Sequence, residues 1–135
     1  MPGYGVIPSI RVRDLPGAVA FYTSTLGFSV DRPDDGGGNT SLTRGDARIM
    51  LELGTSSFYS ERYNEEIRRR LESPGAMALY IEAEDLEELA TRSAAAGAEI
   101  LDPLAARPWG QAEFTVADPE GNLLTFWKAP PADAT

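Results

Sequence analysis

The 135-residue chain contains no cysteine and no histidine. Without cysteine there is no disulfide, no thiolate nucleophile, no iron–sulfur cluster and no thiolate zinc site. Without histidine the chain lacks the commonest transition-metal ligand and the one side chain whose ordinary pKa lies near neutrality. Ser-His, Cys-His and zinc-His mechanisms are therefore excluded within a single chain. Lysine is nearly missing: Lys128 is the only one, and every other basic residue is arginine. Basic residues are also outnumbered, 12 against 21 acidic ones, for a formal net charge of −9. That balance favours solubility, disfavours nucleic acid and anionic membranes as partners, and attracts cationic ones. No apolar run approaches the ~18 residues of a membrane span. Met1–Gly5 offers no basic segment followed by an apolar block, so no signal peptide is expected and the cytoplasm is the expected compartment.

What is present is ordinary globular composition, 42% hydrophobic and 24% charged, in a length that fits one domain or two small repeats. Ile7–Val12 reads as a strand. Asp14 is a suitable helix N-cap, Pro16 falls in the first turn where a missing N–H costs little, and Leu15, Val19, Tyr22 and Leu26 recur at helical spacing. Gly27 stops that helix and Phe28-Ser29-Val30 starts a strand. The order returns further on. Met77–Glu82 alternates as a strand, Asp85 with Glu88 forms a capping-box pattern, Leu86, Leu89, Ala90 and Ser93 supply the helix face, and Gly97 precedes Ala98–Leu101. A self-match at nearly constant spacing indicates an internal duplication. Two further strands follow each helix: Thr40–Thr43 and Arg48–Leu53 in the first half, Ala112–Val116 and Leu123–Trp127 in the second. The expected fold is thus α+β, two βαβββ modules. The expected divisions are 1–54 for the first module, 55–75 for a connector with a short charged helix, 76–129 for the second module and 130–135 for a flexible tail. Asp34–Asn39 reads as a mobile loop, and Asp118–Asn122 as a turn.

The runs Val12-Arg13-Asp14-Leu15, Ala18-Val19-Ala20-Phe21-Tyr22 and Leu26-Gly27-Phe28 resemble the first module of the vicinal oxygen chelate superfamily. That superfamily takes in glyoxalases, ring-cleaving dioxygenases, fosfomycin-resistance enzymes and bleomycin-resistance binding proteins. Pro108-Trp109-Gly110-Gln111-Ala112-Glu113-Phe114 followed by Asp118-Pro119-Glu120-Gly121-Asn122 is similar, more narrowly, to the bleomycin-resistance branch. The resemblance spans Ile7 to Lys128. It implies that the two βαβββ modules form a curved mixed sheet with a concave cleft, and it implies a homodimer, often with the cleft at the subunit boundary and arms exchanged.

The superfamily's enzymes hold a divalent metal with His, Glu or Gln on four strands. The resemblance lays those positions on or near Ile7, on Glu52, near Met77 or Ala78, and on Thr125. One carboxylate among aliphatic neighbours holds Mg²⁺ or Mn²⁺ weakly and does not hold nickel or iron. No metal and no cofactor are expected, and the implied function is metal-independent binding of a planar or amphipathic, antibiotic-like small molecule. Two alternatives stay open: a metal-dependent lyase or dioxygenase, and a metal-free isomerase with Glu52 as base. In the resembled binding proteins the Trp of Pro-Trp-Gly walls the groove, which makes Trp109 either that wall or a packed corner. Phe58 and Tyr59 offer further ring surface, as do Phe114 and Trp127. Phe126 and Trp127 are adjacent on one strand, so one enters the cleft and the other the helix-covered side. Met50 and Glu52 share one face of their strand. Glu52 either pairs with Arg48 or Arg11, binds a cationic or hydrogen-bond-donating ligand group, or acts as a general base of raised pKa. Glu113 is a weaker candidate of the same kind. The expected ligand-binding set is therefore Trp109, Glu52, Met50, Phe58, Tyr59, Phe114 and Trp127.

Overall fold

The computed structural model describes residues 6–53, 61, 62, 65, 69, 77–108 and 110–129. Trp109, Phe58, Tyr59, most of the expected connector and the tail from 130 onward lie outside the described residues. The chain divides into two compact units, Met1–Ala76 and Met77–Thr135, and each repeats one plan. Unit 1 runs β1 (Ser9–Val12), α1 (Leu15–Ala20), β2 (Ser29–Arg32), β3 (Asn39–Arg44) and β4 (Ala47–Leu53). Unit 2 runs β5 (Ala78–Glu82), α2 (Leu86–Ala95), β6 (Glu99–Ala106), β7 (Ala112–Ala117) and β8 (Leu123–Lys128). Each unit builds its own mixed four-stranded sheet, in the orders β1-β4-β3-β2 and β5-β8-β7-β6. The first strand of each pairs parallel with the last, and the remaining pairs are antiparallel.

The punctuation read from the sequence explains the helices, with two differences. Asp14 is in extended conformation and its carboxylate accepts the N–H of Gly17 at 3.1 Å, as an N-cap should. Asp85 stands at the same place before α2, but its backbone is not extended and its side chain makes no capping hydrogen bond. The Asp85 side-chain half of the capping-box pattern is present in residue type and unused in geometry. The first helix also does not run regularly to Gly27. Beyond Ala20 it widens into a π-type turn, Phe21–Thr25. There the Thr23 hydroxyl donates to the Val19 carbonyl at 2.8 Å, and such back-bonding competes with the helix ladder. The wider turn seats Tyr22, fully buried, edge-on to Phe21 and Phe28. Gly27 and Gly97 then leave the helices with φ of +77° and +79°, the left-handed region that glycine enters without a Cβ penalty.

Alternation along the strands gives each sheet a face covered by α1 or α2 and an opposite face free of that helix, its helix-free face. In unit 1 Ile10, Val12, Leu42, Ile49 and Leu51 are buried on the side of Leu15, Ala18 and Leu26. In unit 2 Ile81, Phe114, Val116, Leu124 and Phe126 are buried with Leu86 and Leu89. Lys128 shares the face of Phe126 and reaches Glu87 on α2 at 3.6 Å, which fixes the side the helix occupies.

The two turns that sequence chemistry singled out are both organised by an aspartate. The stretch expected as a mobile loop folds around Asp34, whose Oδ1 accepts the N–H groups of Gly36, Gly38 and Asn39 at 3.1, 2.8 and 3.3 Å. Asp118 is buried and accepts from the backbone N–H of Glu120 at 2.9 Å and of Asn122 at 2.8 Å, while its Oδ2 accepts the Asn122 side-chain amide at 3.0 Å. Asn122 in turn accepts the Met77 N–H at 3.1 Å, tying the turn to the start of β5. Asp118→Ala strips a buried cluster of its acceptor and is expected to cost about 2–3 kcal/mol of stability. Urea denaturation checks this, and an unchanged midpoint would remove the turn from the account of what holds β5 to β8.

Candidate functional site

The helix-free faces hold Glu52 with its partners in unit 1 and Tyr80 with Trp127 in unit 2, and the repeat makes them comparable position by position. In unit 1 the ladder sets Arg11 beside Glu52 and Glu52 beside Asn39. In unit 2 it sets Glu82 beside Trp127 and Trp127 beside Glu113. Trp127 is therefore the counterpart of Glu52, and Glu113 of Asn39. The fourth ligand position that the resemblance laid on Thr125 falls two residues away from the true counterpart. Thr125 itself exchanges a hydrogen bond with Thr115 at 2.7 Å.

On the unit 1 face Glu52 is 1% exposed. Arg11, opposite it in register, forms an ion pair with its Oε2. The Asn39 amide donates to Oε1 at 2.7 Å and lies 3.7 Å from the Met50 sulfur, so Met50 and Glu52 do share one surface. The Asn39 side-chain oxygen accepts from Arg32. Arg48, the other partner considered, goes to Asp31 at 2.6 Å. Both carboxylate oxygens of Glu52 are thus committed to protein cations and donors. Buried and engaged at both oxygens, the carboxylate is not presented to a substrate.

That result also tests whether a divalent metal suits these residues. Glu52 is matched by a guanidinium charge, its counterpart Trp127 has no ligating atom, and histidine is absent from the chain. Among the described residues no three Asp or Glu side chains converge. The donor set does not fit a divalent metal.

On the unit 2 face the dominant surface is aromatic. Trp127 stacks on Tyr80, with ring centroids 6.0 Å apart and planes 19° from parallel. Tyr80 is 55% exposed, so the pair presents ring surface outward. Its hydroxyl donates to Glu113 Oε2 and accepts the Gln111 amide N–H at 2.7 Å. Glu113 also lies 3.8 Å from the Arg107 guanidinium, which bridges to Asp102 at 2.9 Å. Polar groups on both sides thus hold the phenol ring in place against the indole. Glu82, exposed and beside Trp127 in register, adds a carboxylate to the same face.

This placement sorts the expected residues. Trp127 faces away from α2 and Phe126 faces α2, which settles the choice the adjacent pair left open. Phe114 does not join the site: it is fully buried and stacks on Phe126 at 5.6 Å, on the core side. Glu113, not Phe114, is the residue of β7 on the helix-free face. Tyr80 was missed by sequence reasoning, although Tyr80 and Glu82 alternate with core-facing Leu79 and Ile81. In register Tyr80 lies beside Thr125 and diagonally to Trp127, and its counterpart in unit 1 is Ser9, so the duplication gave no signal for it.

The sequence profile of the Glyoxalase/Bleomycin resistance protein/Dioxygenase superfamily matches residues 6–126. The chain belongs to that superfamily. It is 30% identical over 128 residues to the bleomycin resistance protein of Geobacillus stearothermophilus, covering 90% of this chain and 94% of the relative. Among solved structures it resembles TioX from Micromonospora sp. ML1, with a TM-score of 0.72 and 24% identity over 93% of this chain and all of that one. A family enzyme from Burkholderia phytofirmans PsJN superposes with a TM-score of 0.70 at 21% identity, covering 90% of this chain and 95% of that one. At those identities the solved structures establish the shared fold and no more.

Proposed function

We propose that this superfamily member is a metal-independent binding protein that sequesters a planar or amphipathic, antibiotic-like small molecule, preferably a cationic one. The observation that carries the reading is the Tyr80–Trp127 pair, outward-facing and held by Glu113 and Gln111. An aromatic surface fixed in this way binds a flat guest without first ordering its own side chains. Glu82 and the overall charge of −9 add attraction for a cation. The bleomycin resistance protein of Geobacillus stearothermophilus supports the same class of ligand by its name. Trp109 joins this reading as a second wall, on the strength of the family resemblance alone.

The test is a fluorescence and calorimetric titration of the full chain with bleomycin-type glycopeptides and other planar cationic antibiotics. A Trp109→Phe variant leaves Trp127 as the only indole and makes the quench report on one ring. Saturable quenching at one equivalent per chain is the expected result. Turnover of methylglyoxal–glutathione adducts or catechols after loading with Ni²⁺, Mn²⁺ or Fe²⁺, without antibiotic binding, would replace the reading with an enzymatic one.

The reading includes a homodimer in the cytoplasm. The edge strand β6 leaves Leu101 and Leu104 exposed, apolar surface of the kind a second copy covers. Among the described residues no helix is long and apolar enough to cross a membrane.

A further inference from the structure

We propose that unit 1 carries a second small-molecule site, a cleft beside α1 that takes an amphipathic monocation: an apolar ring or short chain ending in an ammonium group. The cleft encloses about 380 Å³ and is walled by Pro16, Val19 and Ala20 of α1 and by Val30 and Pro33, with Asp34 among its lining residues. Small-molecule sites run from about 300 to 1,000 Å³, with mostly apolar walls and few polar groups, and the cleft has that make-up.

The cleft exists because the helix layer of unit 1 stops short. Val30 pairs in register with Leu42 and so points to the helix side of its sheet, yet it is 44% exposed. Its counterpart in unit 2 is Ile100, which pairs with Val116. There α2 lies against β6, and Ile100 is half-buried. α1 lies against β4 and leaves the edge strand β2 with an apolar side chain uncovered.

The charge lies with Asp34. All three N–H groups that bind its carboxylate reach Oδ1, and none reaches Oδ2. Those amides, Gly38 and Gly36 foremost, together with the charge of Arg32, hold the carboxyl below its ordinary pKa, so it is anionic at neutral pH. Arg32 is drawn to the Asn39 side-chain oxygen, Asp31 is paired with Arg48, and Asp35 accepts the Gly37 N–H. Asp34 and Asp35 together outweigh Arg32 at this end of the cleft. Apolar walls with one fixed anion select a cation with a hydrophobic body over an anion or a sugar.

The probes are 3-phenylpropylamine and its uncharged isostere 3-phenylpropanol, followed by amide chemical-shift changes in the full chain. The amine is expected to move the amides of α1 and of residues 30–40. Asp34→Asn keeps an acceptor for the three N–H groups while removing the charge, and is expected to weaken the amine about fivefold and leave the alcohol unchanged. Ala20→Phe, at an exposed helix position, is expected to fill the cleft and remove binding of both probes. Trp127→Ala is expected to leave both untouched, which separates this site from the aromatic face of unit 2. Equal affinity for amine and alcohol, loss of the amine response in Trp127→Ala, no response at all, or shifts that follow protein concentration and so report a second copy would each overturn the proposal.

Discussion

Glu52→Ala is expected to lower folding stability by about 3–5 kcal/mol, the usual cost of breaking a buried ion pair from one side. Arg11 and Glu52 are 9% and 1% exposed at their side chains. Removing the carboxylate takes the Glu52 counter-charge from a guanidinium held out of water, and it takes the acceptor at 2.7 Å from the Asn39 amide. Glu52→Gln is expected to lie between, because it keeps an acceptor for Asn39 and loses the charge. The double variant Arg11→Met with Glu52→Leu is expected to recover most of the loss, since a buried pair gains little over well-packed apolar side chains once desolvation of both charges is counted. A double-mutant cycle read by urea denaturation measures the coupling. A loss below about 1 kcal/mol for Glu52→Ala would mean the pair behaves like one at the surface, and the sealed-carboxylate account would fall. The result also bears on chemistry. A carboxylate whose removal unfolds the protein is a structural anion, and the isomerase alternative would then need another base.

The pairing of Arg11 with Glu52 shows how far the sequence could be read. Glu52 was legible as an acid at a family position, and Arg11 was one of two partners considered. What chose between them was the parallel register of β1 on β4, a long-range fact that neither periodicity nor spacing encodes. The repeated plan was easier to read, because Asp14, Gly27 and Gly97 act locally and twice in the same order. Asp85 misled for the converse reason: residue type proposes a cap, and backbone conformation decides whether it forms. Phe114 misled by face. Alternation says that Phe114 and Val116 point one way and Glu113 and Thr115 the other, but only the position of α2 says which side is covered. The same fact decides between Phe126 and Trp127. Tyr80 escaped because an exposed tyrosine on a short edge strand is ordinary by itself. It matters only through Trp127, its diagonal neighbour on the strand paired with its own.

Trp127→Ala is expected to weaken ligand binding by about 2–4 kcal/mol, roughly 30- to 1,000-fold in Kd, while costing much less stability than Glu52→Ala. The contrast follows from placement. Trp127 is half-buried on the helix-free face, so truncating it opens no void in the core formed by Phe114, Phe126, Val116 and Leu124. It does remove the indole on which Tyr80 rests. Without it the phenol keeps its hydrogen bonds to Glu113 and Gln111 but loses the indole stack, and a flat guest loses both ring area and a fixed surface. Trp127→Phe is expected to retain part of the affinity, because a smaller ring still stacks. Tyr80→Phe separates area from fixation: the ring remains, the tether to Glu113 and Gln111 is lost, and a drop of a few-fold is expected. If Trp127→Ala binds the same antibiotics unchanged, the guest lies elsewhere and the aromatic face is a packing feature. If Trp127→Ala and Phe126→Ala lose affinity equally, general loosening of β8 explains both, since Phe126 faces α2 and has no route to a guest on the other side.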